Sequence, residues 1–186
     1  MKKNLVITVG NDMMGDDGAG PLLAHMIKQA PLEDWEVLEG GNVPENYVFK
    51  IREMEPERVI IVDAADMDLE TGEIALIDKD GIASSFLITT HTLPLTYLME
   101  AIREFVPRVE LLGIQPEIVA FGYPVSPLVK KAVECVYAWL GQTGKRAGAP
   151  RESLGAIVNP ESGREGGADE SDCSAQGQFR SHERGA

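Results

Sequence analysis

Along the first 142 positions the apolar residues alternate between two spacings. Short aliphatic or β-branched runs at Leu5–Val9, Trp35–Leu38, Arg58–Val62, Glu73–Ile77 and Val109–Ile114 read as strands. Between them, apolar residues recur at helical spacing. Ala19, Leu22, Leu23, Met26, Ile27 and Ala30 share one face, and Tyr47, Val48, Ile51 and Met54 another, with Pro44 near that helix's first turn. Leu95, Leu98, Ala101, Ile102 and Phe105 mark a third helix, and Leu128 to Leu140 a fourth. The Arg58–Val62 run is continuous, as expected for a strand buried on both faces of a parallel sheet. This alternation predicts an α/β fold: a three-layer sandwich with a mostly parallel, roughly five-stranded sheet and helices on both faces. No internal repeat is visible.

The pattern stops near residue 142, which divides the chain into a domain over 1–142 and a polar tail over 143–186. The tail is rich in Gly, Ser, Arg and Glu and buries too little to offset its ordering entropy, so it is expected to be disordered and His182 within it solvated. Twelve of the thirteen excess negative charges fall in residues 1–142. A domain so acidic, with no Lys/Arg stripe, repels nucleic acid, and none is expected as a partner. Two cysteines are too few for a disulfide scaffold; Cys135 reads as a small core residue, and Cys173 has no evident partner. The basic-then-apolar start ends at Gly10-Asn11-Asp12, too early for a signal peptide, and no stretch is long enough to span a membrane. A cytoplasmic monomer without membrane association is expected.

In open α/β sheets, ligands gather beyond the C-terminal ends of the strands. Three loops qualify: Gly10–Gly20 after the first strand, Asp63-Ala64-Ala65-Asp66 after the third, and Thr89-Thr90-His91-Thr92 following the fourth. Each brings a potential metal ligand to one rim. The first loop is glycine-rich, but Gly15, Gly18 and Gly20 give G-x-x-G-x-G without a P-loop lysine. Asp16 and Asp17 stand where a phosphate would sit, and carboxylates there attract a cation instead. Each candidate also has a plainer reading: Asp16 or Asp17 as a helix cap, Asp63 as a turn anchor, His91 as a loop histidine. His25, flanked by Leu22, Leu23 and Met26, reads as structural. Asp, Asp and His form a mixed O/N set suited to a borderline cation such as nickel with positions left open, where a metal polarises a carbonyl or lowers the pKa of water. H-E-x-x-H and G-x-S-x-G are absent, and none of Ser84, Ser85 and Ser126 is arranged with a histidine as a serine nucleophile requires.

These residues carry a family resemblance. Gly10-Asn11, Gly15-Asp16-Asp17-Gly18-Ala19-Gly20, Ile60-Ile61-Val62-Asp63-Ala64 and Thr90-His91, in that order, resemble the hydrogenase maturation endopeptidases. Met13-Met14-Gly15-Asp16-Asp17, Gly20–Ala24, Gly72-Glu73-Ile74 and Leu112–Pro116 are similar to the branch serving hydrogenase 3 of the formate hydrogenlyase complex. The resemblance spans residues 4 to about 140. It implies an aspartic-type endopeptidase that removes a C-terminal extension from the [NiFe]-hydrogenase large-subunit precursor after nickel insertion. It also implies that Asp17, Asp63 and His91 contact nickel and carry the catalysis, the nickel being that of the precursor. One departure is Glu39-Gly40-Gly41 in place of the family's Asp-Gly-Gly. That substitution favours a rival reading, a non-catalytic nickel-sensing assembly chaperone. A small-molecule-binding protein of flavodoxin-like shape is a third, opposed by the paired acids of the first loop.

Overall fold

The computed structural model describes residues 4–77 and 95–143. Its centre is a five-stranded sheet in the order β2-β1-β3-β5-β4, with β1 Asn4–Val9, β2 Trp35–Gly41, β3 Arg58–Ala64, β4 Ile74–Ile77 and β5 Arg108–Ile114. β1 pairs in parallel with β2 and β3, and β3 pairs in parallel with β5. Only β4 runs antiparallel, on β5, with Ile74 opposite Ile114. The link from Ala65 to Glu73 explains this direction. It is shorter than the dozen or more residues a parallel crossover needs, so the chain stays on the rim where β3 ended and β4 heads back.

Helices α1 (Ala19–Gln29) and α4 (Pro127–Thr143) cover one face, packing Leu23, Ile27, Val133 and Leu140 on Val6, Ile60, Val62 and Leu112. Helices α2 (Val48–Met54) and α3 (Leu95–Arg103) cover the other, packing Ile51, Leu98, Met99 and Ile102 on Leu5, Ile7, Ile61 and Leu111. The predicted three-layer α/β sandwich is therefore the observed one. Consecutive strand residues feed opposite cores, the period-two consequence of the pleat. From Val59 to Ala64, β3 is buried throughout, as its unbroken apolar run requires of the central strand. Pro44 opens a 3-10 turn, Pro44–Tyr47, that runs straight into α2. Glu55 then ends α2 in the left-handed conformation, just before Pro56, which cannot continue a helix.

Arg103, at the end of α3, donates through Nη2 to the Val109 carbonyl at the start of β5, 3.1 Å away. Helix α3 thus runs towards the N-terminal ends of the parallel strands and opens, at Leu95, on the opposite rim. At that N-terminal end, Arg58 lies between the rings of Trp35 and Trp139, 5.5 and 5.6 Å from their centroids, and pairs with buried Glu110 at 2.7 Å. Arg108 reaches the other Glu110 oxygen at 3.0 Å. Burial lowers the Arg58 pKa below that of an ordinary arginine, and neighbouring Glu110 raises it back in part.

Cys135, expected in the core, is only half-buried on α4, and His25, read as structural, is exposed on α1. Among the described residues no helix is long and apolar enough to cross a membrane. His91, Cys173, His182 and the tail from Gly144 onward lie outside the described residues.

Candidate active site

β1 ends at Val9, and Gly10 turns the chain into a 3-10 turn, Gly15–Gly18, which leads into α1. The glycines of this loop serve close packing. At Gly10, which has φ +124°, a Cβ would overlap the Asp17 carbonyl, and at Gly20 it would overlap the Val9 carbonyl. Only glycine lets α1 lie this near the end of β1 at Gly20 and lets the 3-10 turn close on Gly10.

The two adjacent acids are both buried, Asp16 at 0% and Asp17 at 3% exposure, and their roles differ. The Asp16 carboxylate accepts three backbone N–H bonds from the β5–α4 connection: Ser126 on Oδ1 at 2.6 Å, and Glu117 and Ile118 on Oδ2 at 2.8 and 3.0 Å. Its own N–H donates to the Ile118 carbonyl, and Gly15 N–H to the Tyr123 carbonyl. Asp16 is therefore the clasp between two loops. Asp17 accepts the Asn11 N–H on Oδ2 at 2.7 Å, which fixes its carboxylate within its own loop. Neither acid caps α1: the N-cap is Gly18, and no side chain bonds the helix N-terminus there. The capping expectation fails because both carboxylates are engaged with other backbone segments.

Asp63 lies inside β3, opposite Gly113 of β5, and is fully buried. It is a strand residue rather than the first residue of a loop, because β3 runs two positions further than its apolar run. The 3-10 turn carrying Asp17 packs directly against β3. The structure thus brings Asp17 and Asp63 to the C-terminal rim of neighbouring strands. It does not support the route by which the fourth strand leads to His91, because antiparallel β4 points away from this rim. Among the described residues, no group of three or more His, Cys, Asp and Glu is placed to hold a metal ion.

Two supporting residues escaped the sequence reading. Gln115, buried just past β5, accepts the Met67 and Leu69 N–H groups on Oε1 at 2.7 and 3.3 Å, and its Nε2 donates to Asp66 Oδ1 at 3.1 Å. One amide side chain thereby orders the loop that follows Asp63. The available signal was a polar residue directly after an apolar strand, on the rim where ligands gather. Asn11 is the second; besides bonding Asp17 it holds the Met13 N–H on its Oδ1 at 3.0 Å.

A model of the HycI family, described as hydrogenase maturation protease, matches residues 21–141. The chain belongs to the hydrogenase maturation protease family. It is 50% identical over 145 residues to the hydrogenase 3 maturation protease of Escherichia coli K12, covering 76% of this chain and 93% of that one. The solution structure of the endopeptidase HycI from E. coli superposes with a TM-score of 0.70 at 50% identity, over 76% of this chain and 90% of that chain. The crystal structure of a [NiFe] hydrogenase maturation protease HycI from Thermococcus kodakarensis gives a TM-score of 0.67 at 30% identity, covering 78% and 94%. The protein is accordingly a hydrogenase maturation endopeptidase, and the chaperone reading lapses. Glu39, the residue that had favoured it, ion-pairs with Lys28 of α1 on the flank of the sheet.

Proposed function

We propose that this maturation protease cuts the C-terminal extension from the large-subunit precursor of a [NiFe]-hydrogenase, in the cytoplasm, and recognises the nickel the precursor already carries. The observation that supports this most directly is the pair of buried carboxylates, Asp17 and Asp63, on one rim of adjacent strands within a domain of this family. His91 completes the set. In the sequence it lies four residues before Leu95, which opens α3 on the same rim.

In this reading the nickel is part of the substrate. Oxygen and nitrogen donors from Asp17, Asp63 and His91 suit a borderline divalent cation and supply the main attraction for a nickel-bearing precursor. Asp17 is oriented before substrate arrives, because Asn11 N–H holds one of its oxygens, and the sheet register fixes the Asp63 backbone against Gly113. Prefixed ligands place the scissile bond with little ordering cost at the moment of reaction. A precursor without nickel lacks that attraction and is spared, so substrate recognition and quality control reside in one interaction.

The test is to incubate the purified enzyme with nickel-loaded and nickel-free precursor and to weigh each product. Loss of a C-terminal peptide from the loaded form alone is the expected result. Cleavage of both forms would refute nickel recognition, and binding without cleavage would refute the assigned substrate bond.

A further inference from the structure

Five of the seven large apolar side chains that stand exposed among the described residues lie in the loops of the site rim: Met13, Val43, Leu69, Phe121 and Tyr123. Three of them lie on two adjoining loops. The Gly122 N–H donates to the Met13 carbonyl at 2.8 Å, and the Gly15 N–H to the Tyr123 carbonyl at 3.1 Å, which places Met13 beside the Phe121–Tyr123 segment. That segment is a turn in which Tyr123 N–H bonds the Ala120 carbonyl and Gly122 takes φ +79°, the left-handed position of a type II turn. Phe121 stands at its tip, 71% exposed, and Tyr123 is 53% exposed. The loop that carries the turn is anchored at both ends. Its flanks are pinned by Asp16, through Glu117 and Ile118 on one side and Ser126 on the other. Isolated exposed apolar residues are ordinary, but three on adjoining, backbone-anchored loops at a rim mark a candidate contact surface.

We infer that Met13, Phe121 and Tyr123 form the docking surface for an apolar segment of the folded large-subunit precursor, adjoining the part that presents its metal. The occupant follows from continuity: Asn11, whose N–H holds the Asp17 carboxylate, also holds the Met13 N–H on its Oδ1, so Met13 and Asp17 belong to one braced loop and a partner presented to Asp17 lies next to the patch. This inference rests on the precursor reading above and adds a contribution to affinity that does not depend on nickel. Rigid aromatic side chains bury large area at small entropic cost and dominate many interfaces, whereas the acidic groups of this rim serve the metal.

The experiment uses the full chain and its Phe121→Ser/Tyr123→Ser variant, whose substituted residues are exposed and whose unfolding midpoint is measured alongside. For nickel-loaded precursor, KM is expected to rise about tenfold with kcat unchanged. Retention of nickel-free precursor on immobilised enzyme is expected to weaken by a similar factor. Asp63→Asn serves as the contrast, losing cleavage while still retaining nickel-free precursor. An unchanged KM overturns the inference, as does retention of nickel-free precursor equally by wild type and variant, or by neither. If wild type sediments as a dimer and the double variant as a monomer, the patch is a self-association surface and the inference is wrong. If wild type fails to cut any precursor, the precursor reading fails, and differential retention still decides whether this patch docks it.

Discussion

At the N-terminal ends of the parallel strands, Trp35 and Trp139 are buried around Arg58, and its charge is answered by Glu110. At the C-terminal ends the disposition is reversed: carboxylates Asp16, Asp17 and Asp63 are buried, while Met13, Phe121 and Tyr123 face water. One end hides its apolar surface and closes its ion pair, as stability alone demands. The other keeps acids inside, Asp16 clasping two loops and Asp17 held by Asn11, and leaves aromatics outside, a disposition that suits the partner proposed above. The sheet is common to both ends, so the difference separates the end that closes on itself from the end proposed to meet a partner.

The comparison is most sharply tested at its stable end. Glu110→Ala leaves Arg58 charged and buried without its main partner, and a loss of about 3–5 kcal/mol in urea-unfolding free energy is expected. Cleavage per folded molecule should not change; if it does, the two ends are coupled. At the other end, Asp17→Asn and Asp63→Asn are each expected to lower precursor processing about 10²-fold or more, read by product mass over time, with the protein still folded. Asp16→Ala removes an acceptor from three N–H groups, so a loss of about 1–3 kcal/mol in stability is expected, with a partial fall in processing as the β5–α4 connection loosens. Equal effects of Asp16→Ala and Asp17→Asn on catalysis at unchanged stability would erase the distinction between clasp and ligand. The smallest effect belongs to Phe121→Ser, expected to change unfolding free energy by no more than about 0.5 kcal/mol in a thermal melt, since its side chain is already in water.

Much of this was legible in the sequence, because hydrophobic period reports directly on burial. The continuous run at β3 and the helical stripes of α1 and α4 pointed to element type and face, the rim rule led to the loops carrying Asp16, Asp17 and Asp63, and the family resemblance chose Asp17 and Asp63 among them. What escaped depends on contacts distant in sequence. Asp16 and Asp17 are indistinguishable as adjacent acids; only the partner loop, 101 to 110 residues away, makes one of them structural. The direction of β4 has no signature in its own residues, since an antiparallel edge strand alternates as a parallel one does, and the length of the preceding link was the only clue. Glu110 sat unremarked inside an apolar strand for the same reason: its partner, Arg58, begins another strand. His91 was chosen by resemblance and by rim, and it lies outside the described residues.

The clasp at Asp16 also bears on the order in which this molecule becomes active. Joining Asp16 to Ser126 closes a loop of 110 residues, so the first loop receives its last support only after β5 and the start of α4 have been added. A chain still emerging from the ribosome, or one clipped before Ser126, has Asp17 and Asp63 in its sequence but no anchored rim to hold them. A maturation protease thus has its own completion as a condition of working.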